Sequence, residues 1–203
     1  MADDDLQLLD AWRDGDAAAG SELFRRYFKP LLRFFFNKAG DADVEDLIQK
    51  TMLACVGSRD RFRGASSFRT YLFRIARNEL LMSWRRRRSR GAGGGGGIDF
   101  GVTSIADLGP SPSTIARIAE DRRLLLEALA MLPADMQLTL ELHYWEGMSA
   151  SELAEMFEVE PTTIRTRLHR ARQQLKAAIE ERSADPELRD RALESLGTWV
   201  PDA

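Results

Sequence analysis

An all-α fold is predicted: two small helical domains joined by a flexible glycine-rich linker, the second containing a helix-turn-helix. Three observations predict it. Apolar residues recur at spacings of three and four in two separate blocks, strand-like alternation is nearly absent, and Gly-Ala followed by five glycines, Gly91 to Gly97, parts the blocks. The boundaries read 1–90 for the first domain, 91–117 for the linker, 118–182 for the second domain and 183–203 for a C-terminal tail.

In the first block Leu6, Leu9 and Trp12 predict a short leading helix, and Gly15 and Asp16 restart the pattern through Leu23, Phe24, Tyr27 and Phe28. Pro30 is expected to begin another helix filled by Leu31, Leu32 and Phe34 to Phe36, which Gly40 and Asp41 end. Val44, Leu47, Ile48, Met52 and Val56 mark the next, and a loop over 57–66 follows it. Ser67 then caps a long helix reaching about Arg88, with Phe68, Leu72, Ile75, Ala76 and Leu80 on its apolar stripe. In the second block Ile118 to Leu132 is one amphipathic helix, and Pro133 in a first-turn position opens another that Gly147 stops. Ser149 and Glu152 form a capping box for a helix bearing Leu153, Ala154 and Met156. Pro161 opens a helix running to about Ile179, and the tail is expected to form one further short helix around Leu188 to Leu196.

Composition bounds the function. A chain of 203 residues, 44% hydrophobic and 30% charged, folds as an ordinary soluble protein. There is no run of eighteen apolar residues, and Asp3, Asp4 and Asp5 stand where a secretory leader would be basic, so a cytoplasmic protein with no membrane insertion is expected. One cysteine, Cys55, and two histidines, His143 and His169, cannot build a disulfide framework or a Cys/His metal cage within one chain, and no cofactor is expected. The net charge of −3 conceals a strong partition. Residues 1–60 carry net −4, 61–90 net +9, 118–160 net −8 and 161–182 net +4, so two basic surfaces alternate with two acidic ones and suit a polyanion.

The sharpest motif is the pair of helices 149–156 and 161–179 joined by Phe157 to Glu160, which is helix-turn-helix spacing. Ala154 is small enough for the helices to cross there, and Val159, Ile164 and Leu168 clamp them. The outward face then carries Thr162, Thr163, Arg165, Thr166, Arg167, His169, Arg170 and Arg172, hydroxyls and guanidiniums suited to base edges and phosphates in a major groove. An ordinary antiparallel helix pair with a solvated basic face is the competing reading.

A second motif runs from Arg61, Phe62, Arg63, Ser66 and Ser67 to the helix holding Tyr71, Arg74, Arg77, Asn78, Trp84 and Arg85 to Arg88. Unpaired bases need flat faces and amides as well as charge, so this mixture favours single-stranded or opened DNA. Phe68 and Leu72 belong to the core, and Trp84 divides evenly between core and surface. A third, Asp43-Val44-Glu45-Asp46-Leu47-Ile48-Gln49, is acidic and amphipathic. Alone it reads as a solvated helix face.

With these residues in place, the chain resembles the extracytoplasmic-function sigma factors of bacterial RNA polymerase. Residues 43–53 look like that family's core-polymerase-binding helix; Phe62 to Phe68, with Tyr71 to Asn78, looks like its promoter-melting region. Leu132-Pro133, Tyr144 to Ser149 and Thr163 to Arg172 resemble the domain that reads the upstream promoter element. The resemblance implies that Asp46, Leu47 and Gln49, with Asp43, face the polymerase. It implies that the 61–68 loop and Asn78, flanked by Tyr71, Arg74, Arg85 and Arg86, hold the opened downstream element. Arg165, Arg167 and Arg170 would read or clamp the upstream duplex, and an anti-sigma factor is a further implied partner. Glu158 stands where the family often has glycine in the turn, which predicts a strained left-handed backbone.

A polymerase partner also follows from the linker. About 27 free residues give a root-mean-square span of roughly 30 Å and a stretched limit of roughly 90 Å, too broad to set the distance between two DNA sites. A rigid scaffold has to set it. A stand-alone helix-turn-helix regulator is the alternative, but it leaves 61–90 without a purpose. An enzyme is not expected, because no Gly-rich phosphate loop, nucleophile with a histidine base or metal-spaced carboxylate cluster is present.

Overall fold

The computed structural model describes residues 2–64, 66–91, 99–106 and 119–200. Among the described residues the fold is all-α, and the one β-type pairing is an isolated bridge between Ser104 and Pro133. The first block contains α1 (Ala2–Arg13), α2 (Ala17–Phe36), α3 (Asp41–Ser58) and α4 (Phe68–Gly91), with a single 3-10 turn, Arg59–Arg61, before α4. Asp16 caps α2 by accepting from the Ala18 and Ala19 amides at 2.8 and 3.3 Å. Gly20 lets α1 approach closely, since a Cβ there would lie 2.6 Å from the Trp12 indole nitrogen.

Helix α2 runs unbroken through Pro30, where the sequence predicts a new helix. Proline inside a helix forfeits a hydrogen bond and crowds the preceding turn, at roughly 3 kcal/mol. Leu23, Tyr27, Leu31, Phe34 and Phe35 nevertheless form one buried stripe spanning it. At about 1.5–3 kcal/mol per buried large apolar side chain, that stripe outweighs the proline.

The second block contains α5 (Glu120–Ala130), α6 (Ala134–Tyr144), α7 (Ala150–Phe157), α8 (Pro161–Arg182) and α9 (Pro186–Thr198). The expected tail helix is α9. It lies along α5, with the Ser195 hydroxyl donating to Asp121 at 2.9 Å and Trp199 edge-on to Trp145 at 6.1 Å.

The five-glycine run lies outside the described residues. Further along the expected flexible linker, residues 99–106 are packed in place, with Phe100 and Ile105 buried and the Phe100 ring 5.7 Å from that of Trp84. The reason is local. Pro133 precedes α6 and offers no side-chain cap, so the Ala134 amide donates to the Thr103 carbonyl at 3.0 Å and the Asp135 amide to that of Phe100 at 3.1 Å. The linker therefore caps one block while its aromatic ring packs on the other.

Candidate nucleic-acid interface

The helix-turn-helix is built from its caps inward. Ser149 accepts from the Glu152 amide at 3.2 Å, while the Glu152 carboxylate accepts from the Ser149 amide at 2.8 Å, giving the predicted capping box. Glu158 closes α7 with φ 58° and ψ 46°, so the turn keeps the left-handed conformation that glycine favours although a side chain stands there. Ala154 is buried at the crossing, with Ile164 and Leu168 beneath α8. That geometry turns Thr162, Thr163, Arg165, Thr166, His169, Arg170 and Arg172 to the exposed side. Several of them line an open cavity of about 410 Å³ with Met136.

Arg167 departs from expectation. Its guanidinium folds back over the Phe157 ring, 4.7 Å from the centroid, and its buried Nη1 has no hydrogen-bond partner. Burial holds its pKa below the ordinary guanidinium value; Asp135 opposes this and Arg77 adds to it. The turn brings Phe157 close enough to take the guanidinium, which helical spacing alone could not reveal.

The second predicted surface is a cleft of about 610 Å³ lined by Arg61, Phe62, Arg63, Ser66, Tyr71, Arg74 and Asn78, together with Glu155 from α7. Arg61, Arg63 and Asn78 are exposed, but the aromatic residues are not free-standing. Phe62 and Tyr71 are buried with ring centroids 4.7 Å apart, so they offer edges rather than open stacking faces. Arg13 fixes this corner, donating to the carbonyls of Arg59 and Phe62. Ser67 is also committed, accepting from the Thr70 amide at 3.1 Å as the cap of α4. Arg85 and Arg86 remain exposed beyond the cleft, with Arg85 over the Phe100 ring at 5.4 Å. Trp84 belongs to the core, its indole donating to the Lys38 carbonyl at 3.0 Å.

On α3, Asp46 and Gln49 face outward as expected. Leu47 does not: it is only 1% exposed and packs inside with Val44 and Ile48. Asp43 is engaged by Arg87 of α4. The exposed apolar groups are instead Leu53 at 62% and Val56 at 42%. Positions 46, 49, 53 and 56 follow one another by three and four, so a single face carries them. Counting from Asp46, rather than from the apolar stripe, would have found Leu53 in the sequence.

The two blocks also meet, through charges of opposite sign. Arg33 forks onto Glu146 at 2.8 and 3.1 Å. Arg69 donates to the Glu146 carbonyl at 2.8 Å and the Glu152 carboxylate at 2.6 Å. Arg77 pairs with Asp135 at 2.9 Å and stacks on Phe157 at 5.0 Å. At the centre Lys38, fully buried, donates to Glu141 and to Asn37, and the Asn37 and Gln137 amides donate to the same carboxylate at 2.8 and 2.7 Å. Burial lowers the Lys38 pKa against the opposing pull of Glu141, and burial likewise raises that of Glu146 against Arg33. Of these acidic residues the sequence marks only Glu152, and that as a helix cap; Asp135, Glu141 and Glu146 each read alone as an ordinary helix-face charge.

A helix-turn-helix with a basic, hydroxyl-rich outer face, beside a separate basic cleft, is the architecture of a helical DNA-binding protein. The profile of sigma-70 region 2 matches residues 23–90, and that of sigma-70 region 4 matches 122–175. The ECF RNA polymerase sigma-E factor of Haemophilus influenzae is 28% identical over 181 residues, covering 87% of this chain and 95% of that protein. Its counterpart from Escherichia coli is 26% identical over 180 residues, covering 87% and 94%. Among solved structures, CnrH in complex with the cytosolic domain of CnrY superposes with a TM-score of 0.57 at 24% identity, covering 89% of this chain and 99% of that one. RpoE bound to the anti-sigma factor NepR from Bartonella quintana gives 0.57 at 24%, covering 77% and 95%. The chain belongs to the extracytoplasmic-function sigma factors, which bind core RNA polymerase and direct it to promoter DNA.

Proposed function

We propose a division of labour among three surfaces of this sigma factor. The α3 face formed by Asp46, Gln49, Leu53 and Val56 docks on core polymerase, with Asp43 at its edge. The cleft of Arg61, Arg63, Ser66, Arg74 and Asn78 receives the opened downstream element, and Arg85 and Arg86 extend it along the phosphates. Thr162, Thr163, Arg165, Thr166, His169 and Arg170 read the upstream duplex. Residues 1–90 and 118–182 serve as the two promoter-contacting domains, 91–117 connects them, and α9 of the tail braces the second. The protein acts in the cytoplasm as a non-catalytic initiation factor, with an anti-sigma protein as a further partner.

One observation carries this reading most directly: Leu53 is 62% exposed on the same helical face as Asp46 and Gln49. An apolar patch rimmed by acid and amide suits a protein surface better than a polyanion. Reconstituted transcription tests it. Asp46→Arg and Leu53→Glu should each abolish initiation with core polymerase while leaving the helical circular dichroism unchanged. Full initiation by both folded variants would refute the docking face.

A further inference from the structure

Helix α1 ends against the turn that opens the downstream cleft. Carbonyls at the end of a helix, or on a single 3-10 turn, lack the partners that a continuing helix would give them. Here the two ends supply each other. Arg13 donates to the Arg59 carbonyl from Nη2 at 2.7 Å and from Nε at 3.3 Å, and its Nη2 donates to the Phe62 carbonyl as well. In return Arg59 donates to the Trp12 carbonyl at 3.3 Å and lies over the Trp12 ring at 4.9 Å. The Arg13 guanidinium also sits 5.9 Å from the centroid of Phe62, a ring that packs on Tyr71 at 4.7 Å. Phe62 and Tyr71 line the cleft, whereas Arg13 is not on its wall.

The support behind this contact is firm. Leu9 is buried, Trp12 is edge-on to Phe24 at 5.3 Å, and the buried Asp5 carboxylate accepts from the Tyr27 hydroxyl at 2.5 Å and from Arg26 at 3.1 Å. Helix α1 precedes residue 23, where the match to sigma-70 region 2 begins, so that match brings no role for it. We propose that Arg13 is a positioning residue for reading the downstream element: through two main-chain carbonyls it sets the 59–62 turn, and with it the angle at which Arg61, Phe62 and Arg63 meet an unpaired base. A guanidinium fork bound to carbonyls holds the backbone whatever side chains the loop carries. Arg13 touches no nucleotide, so it governs which base is accepted rather than how strongly the phosphates are held.

The inference rests on assigning the 61–78 cleft to the opened strand, and its test separates the two. Holoenzyme reconstituted from the full chain and core polymerase is run on a promoter library randomised across the downstream element, which gives the parent's preferred element and the penalty for each single-base change. A labelled single strand bearing that element then reports holoenzyme affinity as a function of salt. Arg13→Met, with its helical circular dichroism intact, should lower the largest single-base penalty at least fivefold. In the full chain it should also speed amide exchange over 59–64 at least tenfold, with the α2 and α3 peptides unchanged. Its salt slope should equal the parent's, because no phosphate contact is lost. Arg13→Lys keeps the charge but has no planar fork to span two carbonyls, and should follow the methionine variant. An unchanged penalty would overturn the proposal, as would a lysine variant with the parent's preference. So would a salt slope smaller by about 0.7, the share of one lost single-strand phosphate contact. The control Arg61→Ala/Arg63→Ala leaves Arg13 in place. Where it weakens strand binding while Arg13→Met leaves the penalty untouched, the positioning role alone fails; where strand binding survives it, the cleft assignment fails and the proposal with it.

Discussion

Replacing Lys38 with methionine tests the buried ion pair between the two blocks. The side chains of Lys38 and Glu141 are 0% and 4% exposed, and the carboxylate also accepts amide hydrogens from Asn37 and Gln137. Lys38→Met leaves that carboxylate without its cationic partner, with only the two amides to meet it in a site shut off from water. Removing one partner of a buried pair in this way costs about 3–5 kcal/mol. Glu141→Gln leaves the opposite fault, a buried ammonium whose pKa burial already lowers. The double variant removes both charges, and the glutamine oxygen still accepts from Asn37 and Gln137, so its loss should fall well below the sum of the singles. A coupling of at least about 2 kcal/mol is expected in the double-mutant cycle. Because Lys38 follows α2 and Glu141 sits on α6, the fault is relieved either by unfolding or by parting of the blocks. Urea denaturation followed by circular dichroism, together with small-angle scattering in buffer, captures both routes. Additive singles, with the scattering radius unchanged in each, would refute the pair as a structural anchor.

Three further changes have definite outcomes. Glu158→Gly frees the left-handed turn at φ 58°; the 3.7 Å pair it makes with Arg74 is largely solvated, so a gain of about 0.5–1 kcal/mol is expected, read as a raised melting temperature. An unchanged or lower melting temperature would show that the turn is not strained. Burial pushes the Cys55 thiol up to about 12, so iodoacetamide at pH 8 should label it only through unfolding, in step with the unfolding rate; rapid labelling of the folded chain would contradict its burial. Arg165→Ala should weaken binding to a specific upstream duplex by about 1–3 kcal/mol and relax preference at one base pair. A loss equal on all sequences, with a shallower salt slope, would make it a phosphate contact instead.

Helices, caps and the turn were legible because short-range chemistry decides them: the Ser149–Glu152 box and the strained Glu158 follow from positions three to nine residues apart. Pro30 misled because the breaking rule is local, whereas the stripe from Leu23 to Phe35 that overrides it draws its energy from tertiary burial. Leu47 and Arg167 were misplaced for a related reason. Helical period gives a residue's angle around its own axis, but not which neighbouring surface arrives to cover that angle. The linker could be read only as composition, and Phe100 and Thr103 in it carry no periodic signal. Their roles appear once α6 is seen to begin after a proline that cannot cap it.

The mixed character of the interface bears on whether it can open. Arg74–Glu158 is substantially exposed, and such pairs are worth about 0–1 kcal/mol each. Arg33–Glu146, Arg69–Glu152 and Arg77–Asp135 are more sheltered, with side chains between 9% and 26% exposed, yet each retains some contact with water. Only Lys38–Glu141 is sealed, and a sealed pair is a poor source of net stability, because desolvation offsets much of its attraction. It fixes register more than it adds strength. A hydrophobic interface of the same extent would hold against salt and polyanions alike. One made of arginines set against carboxylates weakens as ionic strength rises, because screening acts first on its more exposed pairs. The alternation of charge along the chain therefore gives the blocks a contact whose strength is set by salt, with Lys38–Glu141 fixing its register.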